Sequence, residues 1–362
     1  MKSRILLLCN TYYQLLMAIQ LKLTSFREDE VQVVLSDHSR NTDVVAEKLN
    51  HENLFADVTF AETKSLDYSR GFFKILLFSL QCVFGHNKKL KFVERLQNID
   101  GFMYFNESFS SQIAYANLIR KNPNMVCSRF EEGIASYYNE IPIKPVGKRT
   151  KIIYHGLHAI GLKTLSESSN TFYCFYPKMY TGRMTPVAVK PLSTDDEFLA
   201  ALLKRIFSIS EEKLHYTQKY IYFASSIDSD NGISIEFDLV QKLAGILGKE
   251  NILIKKHPRD WRTVYEDSGY IVDGNSAIPW EALQCCINLS DKVLISTFSS
   301  SVLSGSMMLE GGVETWILYN LCKDNSSIIK SARLPLEKAI DNMKRNNKLS
   351  KIKTIKSFGD IE

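Results

Sequence analysis

The chain has 362 residues, of which 45% are hydrophobic and 23% are charged, an ordinary composition for a folded protein with room for two domains. The formal net charge is only +5, from 45 basic and 40 acidic residues, which excludes the strongly basic surface of a typical nucleic-acid-binding protein. No segment is biased enough to indicate disorder, a collagen-like chain or a repeat array, and we expect no nucleic-acid partner.

Two apolar segments bear on the cellular compartment. Ile5–Cys9 follows a basic start but is too short for the apolar core of a signal peptide. Phe72–Phe84 is interrupted by polar residues and is far short of the ~20 residues that span a bilayer, so it predicts a buried or interfacial helix. The seven cysteines contain no CxxC pair, which favours free thiols in a reducing compartment. We therefore expect a cytoplasmic protein.

Basic residues cluster at two places in the chain. Such clusters either form a solvated polar face and a fraying tail or bring the protein to the inner membrane as a peripheral partner, and both alternatives stay open. The clusters consist of Lys88, Lys89 and Lys91, and of Lys344, Arg345, Lys348, Lys351, Lys353 and Lys356.

The first half alternates strand-like and helix-like segments. Such alternation predicts a parallel sheet with helices on both faces. The predicted strands are Arg4–Leu8, Val31–Leu35, Asp57–Phe60, Gly101–Phe105 and Met125–Phe130, and the predicted helices are Tyr12–Leu23, Asp43–Leu49 and Phe72–Phe84.

A segment of low periodicity, Met184–Asp196, separates the two halves and predicts domains over residues 1–185 and 186–362. Asp195 and Asp196 are candidate N-caps for a helix that begins near Glu197. The second half repeats the alternation. Its predicted strands are Tyr220–Ala224, Asn251–Lys256 and Lys292–Ser296, and its predicted helices are Phe237–Leu247, Trp280–Asn288 and one from about Val302.

Polar residues follow all three predicted strands of the second half, where open α/β sheets bind their ligands. Ser225 and Ser226 follow the first strand, and His257, Pro258 and Arg259 follow the second. Pro258 disfavours a helical conformation at His257, and the neighbouring Lys255, Lys256 and Arg259 suit an anionic ligand such as a phosphate. A surface histidine at a strand end is the alternative.

Three serines, Ser299, Ser300 and Ser301, lie where the third strand leads into a helix. Unpaired amides and the positive end of the helix dipole make this position a phosphate seat, with simple N-capping as the alternative.

Two acidic motifs are candidates for base or metal chemistry. Glu131 and Glu132 precede Gly133 at a strand end of the first half, where repulsion between adjacent carboxylates would raise one pKa and suit a general base. An ordinary acidic turn is the alternative. Asp228 and Asp230 form a DxD pattern, which either binds a metal–diphosphate or arises by chance.

Together these motifs resemble the bacterial sialyltransferases, and most closely glycosyltransferase family 52, which includes lipooligosaccharide α-2,3-sialyltransferases. The segments Leu8–Leu15, Phe130–Tyr137 and Ile278–Glu281 are similar to segments of that family or of related sialyltransferases, and the resemblance spans about residues 5 to 305. It implies a GT-B-like α/β fold of two Rossmann-like domains facing a cleft. It also implies CMP-sialic acid as donor, no cofactor or metal, a glycan acceptor and a homodimer.

The resemblance also implies site residues. His257 would act on the donor phosphate, Ser299 and Ser300 would bind it, and Glu281 would hold the ribose hydroxyls. Glu132, Asp228 or Asp230 would be the general base. From their strand-end positions we add Ser225, Ser226, Pro258, Arg259 and Ser301 to the donor site.

The expected reaction is an inverting transfer of sialic acid to a galactose-terminated surface glycan, either lipooligosaccharide or capsular polysaccharide. This acceptor glycan is either free or lipid-linked. Two other functions stay open: transfer of another sugar from UDP-hexose or CMP-Kdo on the same fold, and a non-catalytic nucleotide- or glycan-binding protein. The sequence does not fix the acceptor or the linkage.

Overall fold

The computed structural model describes residues 2–69, 71–138, 147–214, 216–275, 278–324, 326–346 and 351–361. The chain divides into two compact units. Unit 1 comprises Met1–Glu132 and Ser136–Lys190, and unit 2 comprises Gly133–Ala135 and Pro191–Glu362. The α/β class with two Rossmann-like sheets is confirmed, because each unit is built on a parallel sheet with interleaved helices.

Unit 1 contains a seven-stranded parallel sheet of order β3-β2-β1-β4-β5-β6-β7. Its strands are β1 Arg4–Cys9, β2 Glu30–Ser36, β3 Asp57–Ala61, β4 Gly101–Tyr104, β5 Val126–Phe130, β6 Ser169–Cys174 and β7 Thr185–Ala188. Its helices are α1 Tyr12–Leu23, α2 Thr42–His51, α3 Lys64–Asp67, α4 Phe72–Phe84, α5 Lys91–Arg95, α6 Phe109–Lys121, α7 Lys148–Ala159 and α8 Leu165–Ser168.

The central strand β1 is apolar and buried from Ile5 to Cys9, as expected of a parallel strand covered on both faces. The side chain of Thr11 begins α1 by accepting a hydrogen bond from the amide of Gln14. The domain boundary expected at residue 185 falls inside β7. This strand tolerates Pro186 because it lies at the edge of the sheet, where a missing amide donor costs little.

Unit 2 contains a six-stranded parallel sheet of order β10-β9-β8-β11-β12-β13. Its strands are β8 Tyr220–Phe223, β9 Ile252–Lys255, β10 Ile271–Val272, β11 Val293–Ser296, β12 Glu314–Ile317 and β13 Ile352–Thr354. Its helices are α9 Glu197–Phe207, α10 Ile227–Asn231, α11 Ile235–Leu247, α12 Val264–Asp267, α13 Trp280–Leu283, α14 Ser301–Met308 and α15 Ser327–Arg345.

Asp196 caps α9 as expected, with its carboxylate accepting from the amide of Leu199 over 2.9 Å. One other expectation was wrong, and one of two open alternatives is not observed. The helix expected over Trp280–Asn288 ends at Leu283, because the next amides, such as that of Cys286, bond to carbonyls three residues back. The basic C-terminal segment supplies β13 rather than a fraying tail, and Lys353 pairs with Glu314 at 2.8 Å. Lys348 lies outside the described residues.

No helix within the described ranges is both long enough and apolar enough to cross a membrane.

Candidate functional site

Three neighbouring strands of unit 2 carry polar residues just after they end. Strand β8 lies between β9 and β11, with Phe223 paired to Lys255 and the Ser296 hydroxyl donating to the Phe223 carbonyl at 2.9 Å. Parallel strands end at the same edge of a sheet, and a strand spacing of ~4.8 Å puts β9 and β11 about 10 Å apart. The sheet therefore gathers a strand-end cluster, defined as Ser225, Ser226, Asp230, His257, Arg259 and Ser299–Ser301.

The ends of β9 and β8 are joined by side-chain contacts. Nη2 of Arg259 donates to the Ser226 hydroxyl at 2.8 Å and lies 3.3 Å from the carboxylate of Asp230. The Ser226 hydroxyl in turn donates to Asp230 at 2.7 Å. Because the Arg259 side chain is 66% exposed, its guanidinium retains donors that point to solvent and can bind an anion.

His257 is half-buried, and its ring orientation is fixed by the following turn. The amide of Arg259 donates to Nδ1 at 3.1 Å, and the carbonyl of His257 accepts from the amide of Asp260 at 2.8 Å. Burial, followed by the charge of Arg259, lowers the pKa of His257. These contacts favour a neutral imidazole whose proton lies on Nε2.

The serine cluster begins α14. The amide of Ser299 donates to the Ser296 hydroxyl at 2.8 Å, and the Ser299 hydroxyl contacts that of Ser301 at 3.0 Å. Ser300 precedes the helix, is exposed and makes no side-chain capping bond. Simple capping therefore does not account for Ser300, and its hydroxyl is available at the positive end of the helix dipole.

Lys255 and Lys256, which we expected around the phosphate, lie in separate contacts. Lys255 is buried and pairs with Asp273 at 2.6 Å, and Lys256 pairs with Glu266 at 2.8 Å. Of the three basic residues Lys255, Lys256 and Arg259, it is therefore Arg259 that contacts a hydroxyl of the strand-end cluster. Glu281 is partly buried in the first turn of α13, where burial raises its pKa and the charge of Lys255 partly offsets the rise.

The two carboxylates of the DxD pattern have different environments. Asp228 is 1% exposed and accepts from the amides of Glu236 and Phe237, both at 3.0 Å, so its carboxylate satisfies two amides in the first turn of α11. Asp230 is held by Ser226 and Arg259. The pattern therefore does not present a carboxylate pair to one ion, and the described residues contain no group of three His, Cys, Asp or Glu side chains placed to hold a metal.

Glu236 is a site residue that the sequence analysis missed. It is 1% exposed and accepts from the amide and hydroxyl of Ser225 at 2.9 and 2.7 Å and from the Tyr222 hydroxyl at 3.0 Å. Tyr222 also contacts the Thr297 hydroxyl at 2.7 Å, so these bonds link the ends of β8 and β11. Burial raises the pKa of Glu236 to about 7. An acidic residue in a first helical turn is too common to have indicated this role.

The two adjacent glutamates of unit 1, Glu131 and Glu132, have different environments. Glu131 is 1% exposed and accepts from the hydroxyls of Tyr13, at 2.5 Å, and Tyr137, and from the amide of Phe175 at 2.9 Å. Burial raises its pKa to about 7. The raised pKa expected in this motif therefore lies on Glu131, whose oxygens are already occupied by protein donors.

Glu132 is partly buried at the same turn, and its amide donates to the Ser136 hydroxyl at 2.8 Å. Its charge contributes, after burial, to a raised pKa of the Cys9 thiol, so its carboxylate lies near the end of β1. Gly133 has a φ of 71°, in the left-handed region that favours glycine, and so lets the chain turn directly after Glu132.

The strand-end cluster is chemically suited to a phosphate. It combines a guanidinium, an imidazole Nε2–H, hydroxyl groups and the start of an eight-residue helix, all at one sheet edge of unit 2. Charge-assisted hydrogen bonds and a helix dipole are the usual means by which proteins hold phosphate. Such a site could stabilise negative charge that builds on a leaving phosphate.

Comparisons with solved structures show chains of similar architecture at low identity. An alpha/beta-galactoside alpha-2,3-sialyltransferase from the luminous marine bacterium Photobacterium phosphoreum aligns with a TM-score of 0.49 and 12% identity over 100% of both chains. The glycosyltransferase VinC, in complex with dTDP, aligns with a TM-score of 0.49 and 9% identity over 99% of this chain and 98% of its own. Spinosyn rhamnosyltransferase SpnG, with thymidine diphosphate, gives 0.48 and 10% over 96% of each. No curated protein matches this chain significantly.

The model of one protein family, alpha-2,8-polysialyltransferase (POLYST), matches residues 5–311. This match confirms the sialyltransferase part of the resemblance and the assignment as a glycosyltransferase, whereas membership of glycosyltransferase family 52 stays a prediction. The chain belongs to the alpha-2,8-polysialyltransferase family.

Proposed function

We propose that this protein transfers sialic acid from CMP-sialic acid to a glycan hydroxyl, with inversion of configuration and without a metal ion. The observation that carries the proposal is the strand-end cluster. In it, Arg259 bonds to the Ser226 hydroxyl and lies in the same turn as His257. Ser299–Ser301 lie where β11, the strand paired with β8, leads into α14. CMP is a leaving group with a single phosphate, so a cluster of protein donors is sufficient to hold it.

In the proposed reaction, the bond between the anomeric carbon and the phosphate oxygen breaks, and the electron pair stays on the phosphate. Arg259, the Nε2–H of His257 and the hydroxyls of Ser299 and Ser300 would stabilise this charge. The acceptor oxygen forms its bond to the anomeric carbon from the opposite face. Its proton passes to a carboxylate, which accounts for every atom in the exchange.

The placement of the carboxylates favours Glu132 as the proposed base. Asp228 is buried and accepts from two backbone amides, and Asp230 is engaged with Ser226 and Arg259. We propose that Asp230 positions the Arg259 guanidinium instead of removing the acceptor proton. Glu281 remains the proposed contact for the ribose hydroxyls, in line with the sequence resemblance.

Two acceptors are proposed, each from a different observation. The sequence motifs favour a galactose-terminated glycan, such as lipooligosaccharide or capsular polysaccharide. The family description, alpha-2,8-polysialyltransferase, favours an acceptor that already ends in sialic acid. We further propose a cytoplasmic homodimer whose acceptor is carried on lipid at the inner membrane.

A donor panel tests the proposal. CMP and CMP-sialic acid should raise the melting temperature, since a ligand at 100 times its Kd adds about 2.7 kcal/mol to the folded state. UDP, GDP and UDP-hexoses should not. CMP release in the presence of acceptor glycans should be the same in EDTA as in Mg²⁺. Stabilisation by UDP-sugars would favour the other-sugar alternative, and CMP binding without CMP release would favour a non-catalytic protein.

A further inference from the structure

Helix α4 carries two apolar faces, of which one is buried. Ser79, Cys82 and Val83 are buried, and Ile75 and Phe78 pack on the core of unit 1. The opposite face is exposed and apolar. We define the α4 stripe as Phe73, Leu77, Leu80 and Phe84, whose side chains are 83%, 52%, 43% and 69% exposed.

The α4 stripe is continuous along the helix. Its members follow one another at intervals of four, three and four residues, which at ~3.6 residues per turn places them on one side of the helix. Phe72 is 64% exposed and its ring contacts that of Phe73, which widens the apolar surface. Single exposed apolar residues are ordinary on a protein surface, but a contiguous aromatic and aliphatic stripe marks an interaction surface.

The charged residues within α4 and directly after it in the chain are mostly basic. Lys74 is exposed and lies about 100° around the helix from Phe73. The segment that follows α4 exposes three lysines, one arginine and one glutamate. The glutamate contacts His86. These charged residues are Lys88, Lys89, Lys91, Glu94 and Arg95.

We infer that the α4 stripe docks unit 1 onto an anionic lipid surface, with the helix lying in the plane of the interface. Apolar side chains on one face of a helix and basic residues beside them are the combination that such a surface binds. The helix has 13 residues, about 20 Å, which is too short to cross the ~30 Å core of a bilayer but suits an interfacial position.

Charge argues against a second copy of the chain as the occupant. A two-fold interface through the stripe would bring the lysines of one copy against those of the other, which is unfavourable. An anionic membrane instead complements them. The inference does not depend on transferase activity; only its consequence, that the enzyme works beside lipid-linked acceptors, rests on the proposed function.

Vesicle co-sedimentation of the full chain tests this inference. The wild-type protein should pellet with vesicles that contain phosphatidylcholine and phosphatidylglycerol, less so with phosphatidylcholine alone, and less at high salt. The Phe73→Ser/Leu77→Ser variant should bind at least about tenfold more weakly, since both apolar side chains are lost from the contact. Replacing Lys88, Lys89 and Lys91 together by glutamine should remove the preference for anionic vesicles.

Phe198→Ser is the matched control, because Phe198 is 57% exposed on α9, outside the stripe; it should bind vesicles like the wild type. Unchanged melting temperatures would show that the variants are folded. Unchanged CMP release without vesicles would show that the substitutions affect membrane binding and not the transferase reaction. The inference is overturned if the wild type ignores anionic vesicles or if the stripe variant binds them equally well. A wild-type dimer that the stripe variant dissociates, measured by light scattering, would assign the face to a second copy and also overturn it.

Discussion

Arg259 donates a hydrogen bond from Nη2 to the hydroxyl of Ser226 over 2.8 Å, and this bond joins the ends of two neighbouring strands of unit 2. The carboxylate of Asp230 contacts both the Ser226 hydroxyl and the guanidinium of Arg259, which belongs to the same turn as His257. The guanidinium of Arg259 therefore lies at the sheet edge and retains N–H donors that can bind an anion. The proposed binding of the donor phosphate depends on it.

Replacing Arg259 by methionine should weaken donor binding. A charge-assisted hydrogen bond contributes about 1.5–3 kcal/mol, so the KM for CMP-sialic acid should rise about 10–100-fold and the thermal shift with CMP should shrink. Lys256→Met is the control, because Lys256 pairs with Glu266 away from the cluster. Steady-state kinetics on both variants measures the difference. Equal effects of the two substitutions would contradict a specific role for Arg259.

Replacing His257 by alanine should lower kcat by about 10²–10⁴, because the leaving phosphate loses a positioned proton donor. His257→Gln should recover part of the loss, since a glutamine amide also offers an N–H donor. His86→Ala is a suitable control, as His86 is exposed and contacts Glu94. Single-turnover CMP release measures the chemical step. A His257→Ala enzyme with near wild-type turnover would remove this residue from the mechanism.

The carboxylates should separate into a structural and a catalytic group. Asp228→Ala removes the acceptor for two amides in the first turn of α11 and should lower the unfolding free energy by about 0.5–2 kcal/mol, as loss of a capping side chain does, with kcat preserved in the folded protein. Glu132→Gln should lower kcat by about 10²–10⁴ with little change in stability. Chemical denaturation and kinetics on both variants check the pair. The opposite pattern would return Asp228 to the catalytic role.

The buried Glu236 should make stability depend on pH. Its pKa rises from 4.5 to about 7 on folding, so between those values the folded state holds a proton that the unfolded state has released. Its stabilising contribution is therefore full below about pH 4.5 and disappears as pH rises through 7, with a span of at most roughly 3 kcal/mol.

Glu236→Gln stays neutral at every pH and should remove this part of the dependence. Subtracting the unfolding free energies of the variant from those of the wild type, measured from pH 5 to 8, isolates the group from others that titrate. His257, whose pKa is lowered, acts with the opposite sign and cancels in the difference. A difference that does not change with pH would show that Glu236 keeps an ordinary pKa in the folded protein.

Local patterns predicted much of the fold. The apolar run before Cys9 predicted β1, and the segment Phe72–Phe84 predicted α4 with both ends correct. Asp196 was correctly identified as a candidate cap. Strands such as β12, Glu314–Ile317, were missed because a four-residue strand that begins with a charged residue has too little periodicity to stand out.

The site was predictable at the level of strand ends but not of contacts. Serines and His257 were expected at one edge because parallel strands end together. The partners of Lys255 and Lys256 were not predictable, since Asp273 and Glu266 come into contact with them only when the chain is folded. Glu236 was missed for the same reason: its contacts with Tyr222 and Ser225 come from different elements.

The most direct test of the central claim is mass spectrometry of acceptor glycans after incubation with CMP-sialic acid. Galactose-terminated and sialic-acid-terminated oligosaccharides should be tested side by side, with the wild-type protein and with His257→Ala. The account predicts that at least one acceptor gains the mass of sialic acid with the wild type and that the variant forms far less product. No transfer to either acceptor, or equal product with the variant, would contradict it.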